Sequence, residues 1–127
     1  MEERMQPDSA VVMYQRAIKQ SMASKDTKLI GLIYNQLGDL YLSHYLFNKS
    51  LLSYQSGLKY NQLFLDKINA SKSLRGIGKS YTYRSMPDSG LIYLSQALQL
   101  SESINDKEEV VRIHNNISNA YFELEQF

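Results

Sequence analysis

A forty-residue internal repeat constrains this chain more than any other feature of it. Leu37-Gly38 followed by Tyr41 returns as Ile77-Gly78 followed by Tyr81, and again as Ile117-Ser118 followed by Tyr121. Other columns hold the same register: Asp26, Asp66 and Asp106; Tyr34, Leu74 and His114; Ala10, Ser50 and Gly90; Tyr14, Tyr54 and Leu94; Ala17, Gly57 and Ala97. Pro7-Asp8-Ser9 matches Pro87-Asp88-Ser89. Repeats of this length are the mark of stacked supersecondary units, because one unit cannot bury its apolar face alone.

Within each unit the apolar spacing is helical. Leu29, Ile33, Leu37, Leu40 and Tyr41 fall on one face, and so do Leu51, Tyr54 and Leu58. Alternating runs of Val, Ile and Thr are missing, and the chain has only 2 prolines. An all-α fold follows, with about six helices predicted over residues 8–24, 27–45, 48–64, 67–85, 87–104 and 107–126. Pro7 and Pro87 suit the first turn of a helix, where no N–H is needed. Asp26, Asp66 and Asp106 stand where a carboxylate caps free N–H groups.

Leu37-Gly38-x-x-Tyr41 with Ser50, Tyr54 and Gly57, and Ile77-Gly78-x-x-Tyr81 with Gly90, Leu94 and Ala97, resemble the tetratricopeptide repeat signature. The period of forty rather than the usual 34 is similar to the longer-helix variety found in some bacterial signalling proteins and in kinesin light chains. The resemblance implies an α-solenoid, a superhelix of antiparallel hairpins. The whole chain, 1–127, then forms one array: a half repeat 7–26, repeats 27–66 and 67–106, and a half repeat 107–127. Gly38 and Gly78 would leave room where paired helices cross. Opening on a second helix and closing on a first, the chain is expected to be a fragment of a longer array, and head-to-tail self-association is one way to complete it.

Composition narrows the function classes. With 14 basic and 13 acidic residues the formal charge is +1, which does not suggest a nucleic-acid binder. There is no cysteine, and no apolar run is long enough to span a bilayer. A cytoplasmic location away from the membrane is the expectation. Gly78-Lys79-Ser80 imitates the end of a phosphate-binding loop, but Ser73 stands where that loop needs glycine and no strand precedes it. His44 and His114 lack metal-ligand spacing, His114 being expected to pack in the Tyr34 and Leu74 column. Glu108-Glu109 reads as a favourable pair in a helix's first turn. Of the 10 tyrosines, those at 14, 34, 41, 54, 81 and 121 are expected in the core, leaving Tyr45, Tyr60, Tyr83 and Tyr93 as surface anchors. No enzyme activity, metal or cofactor is predicted.

The resemblance further implies that the first helices of the hairpins line a concave face. Its residues here would be Leu32, Asn35, Asp39, Leu42 and Ser43; then Lys72, Arg75, Lys79, Thr82 and Tyr83; then Arg112, Asn115, Asn119, Phe122 and Glu123. Within that set the candidate peptide-binding residues are Asn35, Asp39, Lys72, Arg75, Lys79, Tyr83, Arg112, Asn115 and Asn119. Lys72, Arg75, Lys79 and Arg112 would make a basic patch able to hold an acidic peptide or carboxylate. Co-chaperone members of the family clamp a terminal carboxylate with Lys, Asn and Arg. Arg75 and Asn116 match part of that set, Arg112 matches approximately, and Lys79 replaces the Asn, so the full clamp is missing. The expected function is a protein- or peptide-binding scaffold within a bacterial signalling or transcription-regulatory protein. The alternative is a ligand- or signal-peptide-sensing module of a regulator or sensor kinase.

Overall fold

The computed structural model describes residues 2–126, with side chains from residue 9 onward. Six helices account for nearly all of them, and no strand occurs among the described residues. They are α1 (Glu2–Ala23), α2 (Ile30–Ser43), α3 (Phe47–Leu63), α4 (Lys67–Tyr83), α5 (Pro87–Ser103) and α6 (Lys107–Glu125). Each packs antiparallel on the next. In addition α2 touches α4 and α4 touches α6, whereas α1, α3 and α5 make no close backbone approach to one another among the described residues. One layer of helices is thus drawn together and the other splayed, which curves the array toward α2, α4 and α6.

The turns carry a regularity of their own. Lys25, Tyr45, Leu65, Ser85 and Asn105 all have left-handed φ, between 56° and 64°, and recur every twenty residues. In the last four turns the amide three places past the helix end bonds back to the last turn: Leu46 to Tyr41, Asp66 to Asn61, Met86 to Tyr81 and Asp106 to Ser101, at 2.8–3.0 Å. This six-to-one bond normally selects Gly or Asn for the left-handed residue. Here only Asn105 conforms.

Helix starts follow the expected chemistry at three of five sites. Asp66 accepts the Asn69 amide at 3.0 Å and Asp106 that of Glu109 at 3.2 Å, while Pro87 occupies the first turn of α5. Asp26 does not cap. Helix α2 begins at Ile30, with Leu29 before it and no side-chain cap. Asn69 reciprocates with its own side chain to Asp66 at 2.7 Å, and Leu29, in the matching place, has no polar group to do so. Pro7 likewise lies inside α1 rather than at its first turn, since that helix starts at Glu2. There proline withholds the hydrogen bond to the Glu3 carbonyl.

Small residues sit where backbones meet. A Cβ on Gly78 would lie 2.6 Å from Leu94 and 3.0 Å from the Gly90 carbonyl, and one on Gly90 would lie 2.7 Å from the Gly78 carbonyl. The Tyr54 ring, 1% exposed, fills a slot between Gly38 on α2 and Gly76 on α4. Buried serines serve the same closeness and find partners across it: Ser50 with Ser80 at 2.9 Å, and Ser71 with the Ala97 carbonyl at 3.2 Å. Two apolar clusters, around Leu42, Leu51, Tyr54 and Ile77 and around Leu74, Leu94, Ile113 and Ala120, are bridged by Leu58 and Tyr93.

Four tyrosine and histidine expectations change. Tyr121 is 57% exposed and His114 is exposed, because they share a face of α6 that no helix covers among the described residues. Tyr60 stacks on Tyr34 and Tyr93 on Tyr81, with centroids 5.8 and 5.6 Å apart, so neither is a free surface anchor. Tyr45 and Tyr83 are exposed, as expected.

Candidate functional site: a charged groove across α2, α4 and α6

Spacing of three and four along α2 and α4 aims one stripe of each helix at the concave side. Three clefts join there into one groove. The first, about 260 Å³, is bounded by Leu32, Asn35 and Asp39 of α2, Lys72 and Arg75 of α4, and Arg112 of α6. It shares Asp39 and Arg75 with the second, which adds Leu42, Ser43, Lys79 and Tyr83. The third, about 460 Å³, continues past Tyr83 to Tyr45, Phe47, Thr82 and Glu123. Of the residues expected on this face, Asn115, Asn119 and Phe122 stand exposed on α6 outside these clefts.

The groove's charges are not all free. Arg75 Nε is bonded to Glu109 Oε2, whose side chain is 1% exposed, and Arg112 Nη1 lies 3.8 Å from Glu109 Oε1. Glu109 is therefore the counter-ion beneath the patch and not merely a partner of the helix dipole. Asn35 is a second correction. It is 5% exposed, gives its amide to the Asn69 carbonyl at 3.0 Å and accepts from Ser73 at 2.6 Å, so its polar atoms are spent joining α2 to α4. Asp39 accepts the Tyr54 hydroxyl, which reaches the groove floor from the core.

Lys79 differs from its neighbours. It is half-buried, and no ion pair holds its ammonium among the described residues. Burial depresses its pKa below the ordinary value, the Arg75 guanidinium adds to this, and Asp39 and Glu109 oppose it. A cation so placed gains from any anion brought beside it. Lys72, at the other end of α4's stripe, also lacks an ion-pair partner among the described residues. The Gly78-Lys79-Ser80 triplet lies wholly within α4, with Gly78 against Leu94 and Ser80 bonded to the Gly76 carbonyl at 2.9 Å. A helix interior presents no row of free amides, so the triplet is packing and not a phosphate cradle.

Glu109, read from the sequence as a helix-dipole partner, Tyr54, read as core, Tyr45, read as a surface anchor, and Phe47 are groove residues that the sequence did not place there. A signal existed for the first: Glu109 follows Arg75 by 34 residues, as Asn69 follows Asn35. Among the described residues no group of three His, Cys, Asp or Glu could hold a metal ion, and no helix is long and apolar enough to cross a membrane. No protein-family model matches the chain, and no curated protein matches it.

Proposed function

We propose that this chain is a tetratricopeptide-type scaffold that holds an acidic segment of another protein along the α2–α4–α6 face and performs no chemistry of its own. The observation that carries this reading is Lys79, a half-buried ammonium facing a cleft and held by no ion pair among the described residues. With Lys72 it gives two cations that no ion pair holds among the described residues, beside Arg112, which lies 3.8 Å from Glu109, and against Asp39 as the facing carboxylate. An acidic peptide laid there would form charge-assisted bonds in a partly desolvated groove, where they are stronger than on an open surface. The forty-residue period supports placing the array within a bacterial signalling or transcription-regulatory protein.

The test is retention of partners on the immobilised chain, comparing wild type with Lys72→Glu plus Lys79→Glu. Arg75 is left intact because losing it would strand Glu109. Loss of acidic partners in the double variant, with unchanged helical content by circular dichroism, is the expected result. Undiminished capture would rule the groove out. A second reading, a sensor of a small anionic molecule for a regulator or kinase, draws support from the cleft of about 260 Å³ around Asp39, Lys72 and Arg112. Calorimetric titration with small dicarboxylates separates the two: heat from these alone favours the sensor.

A further inference from the structure

We infer that the groove's mouth is an aromatic-reading subsite, so that the segment held there presents an acidic residue and an aromatic residue on one edge, two positions apart in an extended chain. The inference rests on the acidic-peptide reading above and sharpens it.

The mouth is built from Tyr45, Phe47 and Tyr83, whose rings form a connected shelf: Tyr45 to Phe47 edge-on at 6.3 Å, and Phe47 to Tyr83 tilted at 6.1 Å. Tyr83 is 47% exposed and Tyr45 79%, so the shelf's outer surface is left open among the described residues. The repeat shows that the fold does not need these aromatics. Forty positions away, Ser85 makes the same left-handed turn as Tyr45, at φ 64° against 62°. Ser43 ends α2 where Tyr83 ends α4. Tyr45 is costly in its place, because a bulky residue in the left-handed region is strained and its ring lies in water. Leu65 shares that strain and exposure, but only at Tyr45 does the exposed side chain join two further rings beside a cleft of about 460 Å³, and that shelf points to contact with something else.

Charge complementarity and helical spacing define the occupant. Lys79 and Tyr83 are four residues apart on α4, neighbours on one stripe about 6 Å apart. Alternate side chains of an extended peptide are separated by about 6.6 Å along one edge. An acidic group over Lys79 therefore sets the second residue along, in either chain direction, onto the shelf. Aromatic side chains gain most there, through offset or edge-on ring contacts.

Fluorescence anisotropy with labelled synthetic peptides tests this. The set holds an acid–x–aromatic peptide, its reversed order, the same peptides with Ala for the aromatic or Gln for the acid, and versions with the aromatic moved one position. The proteins are wild type and Tyr45→Ser plus Tyr83→Ser, the residues this chain itself uses at the equivalent sites. One order of the two-apart peptide should bind wild type about tenfold tighter than its Ala or shifted versions, and that gain should vanish in the double variant. If acidic peptides bind equally with or without the aromatic, or if the gain survives in the double variant, the subsite is overturned while the charged groove stands. If no acidic peptide binds at all, both fall.

Discussion

The guanidinium of Arg75 on α4 is bonded to the buried carboxylate of Glu109 on α6, and it is the ionic counterpart of the link from Asn35 on α2 to Asn69 on α4. Both contacts span 34 residues and tie one first helix to the next. The two helix pairs are thus joined in one place by amide chemistry and in the other by charge. Only the second responds to removal of a single partner by leaving a charge in the interior.

That difference makes a prediction. Arg75→Ala should destabilise the chain by about 3–5 kcal/mol, since it strands a buried carboxylate, whereas Arg75→Met with Glu109→Leu should come out within about 1–2 kcal/mol of wild type. Urea titrations of Arg75→Met, Glu109→Leu and the double variant give the coupling. Additive losses would show that the pair does not act as a unit.

Gly90 should not tolerate even one added carbon. Alanine in a helix ordinarily gains about 1 kcal/mol over glycine. Here the new Cβ would stand 2.7 Å from the Gly78 carbonyl and 2.5 Å from Thr82 Oγ1. Backbone cannot yield as a side-chain tip does, and overpacking of this kind costs about 1–3 kcal/mol. Gly90→Ala is expected to lower the melting temperature, and Thr82→Ala in the same chain should not restore it, because the carbonyl contact remains.

Alkaline pH should act on Tyr54 and Lys79 with opposite signs. Burial and the Asp39 carboxylate raise the Tyr54 hydroxyl well above 10.0, so above that pH the unfolded chain gives up a proton that the native chain keeps, and stability falls. Burial, with Tyr60, raises Tyr34 in the same sense. Lys79 is depressed below 10.5, so just below that pH the native chain has already lost a proton the unfolded chain retains, and stability rises toward 10.5. Denaturation midpoints across this range should drop less steeply above pH 10 in Tyr54→Phe than in wild type, although the variant starts lower by about 1 kcal/mol for the lost hydrogen bond. Lys79→Met should lack the preceding rise. Parallel curves for all three proteins would contradict the assignment.

Leu65 is the turn residue with the least reason to be what it is. It has φ 56° and is 83% exposed, so the left-handed strain is not offset by burial. Leu65→Asn should stabilise the chain by about 1 kcal/mol, read as a higher urea midpoint at unchanged slope. Any loss would mean that Leu65 makes a contact its exposure does not suggest.

The helical array was legible because its signal is redundant. Small residues at 38, 50, 57, 78, 90 and 97 mark backbone crossings whatever the intervening residues do, and those crossings are where the structure puts them. The expected concave stripe likewise falls on one face for α2 and α4. What escaped was pairing across elements. Nothing in the Asn35 letter says that its amide is consumed by Asn69 and Ser73, and the matching 34-residue spacing of Arg75 and Glu109 shows a shared register but not which groups bond. The exposure of Tyr121 and His114 also escaped, because a repeat column predicts burial only where a neighbour supplies the other wall. The left-handed turns were invisible for a different reason: Lys, Tyr, Leu and Ser are not the residues that ordinarily announce that conformation.

Those evenly placed turns restrict how the chain can vary in length. One residue added inside a helix would rotate everything beyond it by about 100°, swinging glycines off their crossings and cations out of the groove. A single helix-and-turn module, added alone, would exchange the inner and outer layers from that point on. Only a full hairpin can be inserted or removed with every later side chain keeping its facing, so the groove can be made longer or shorter by whole increments but not finely adjusted.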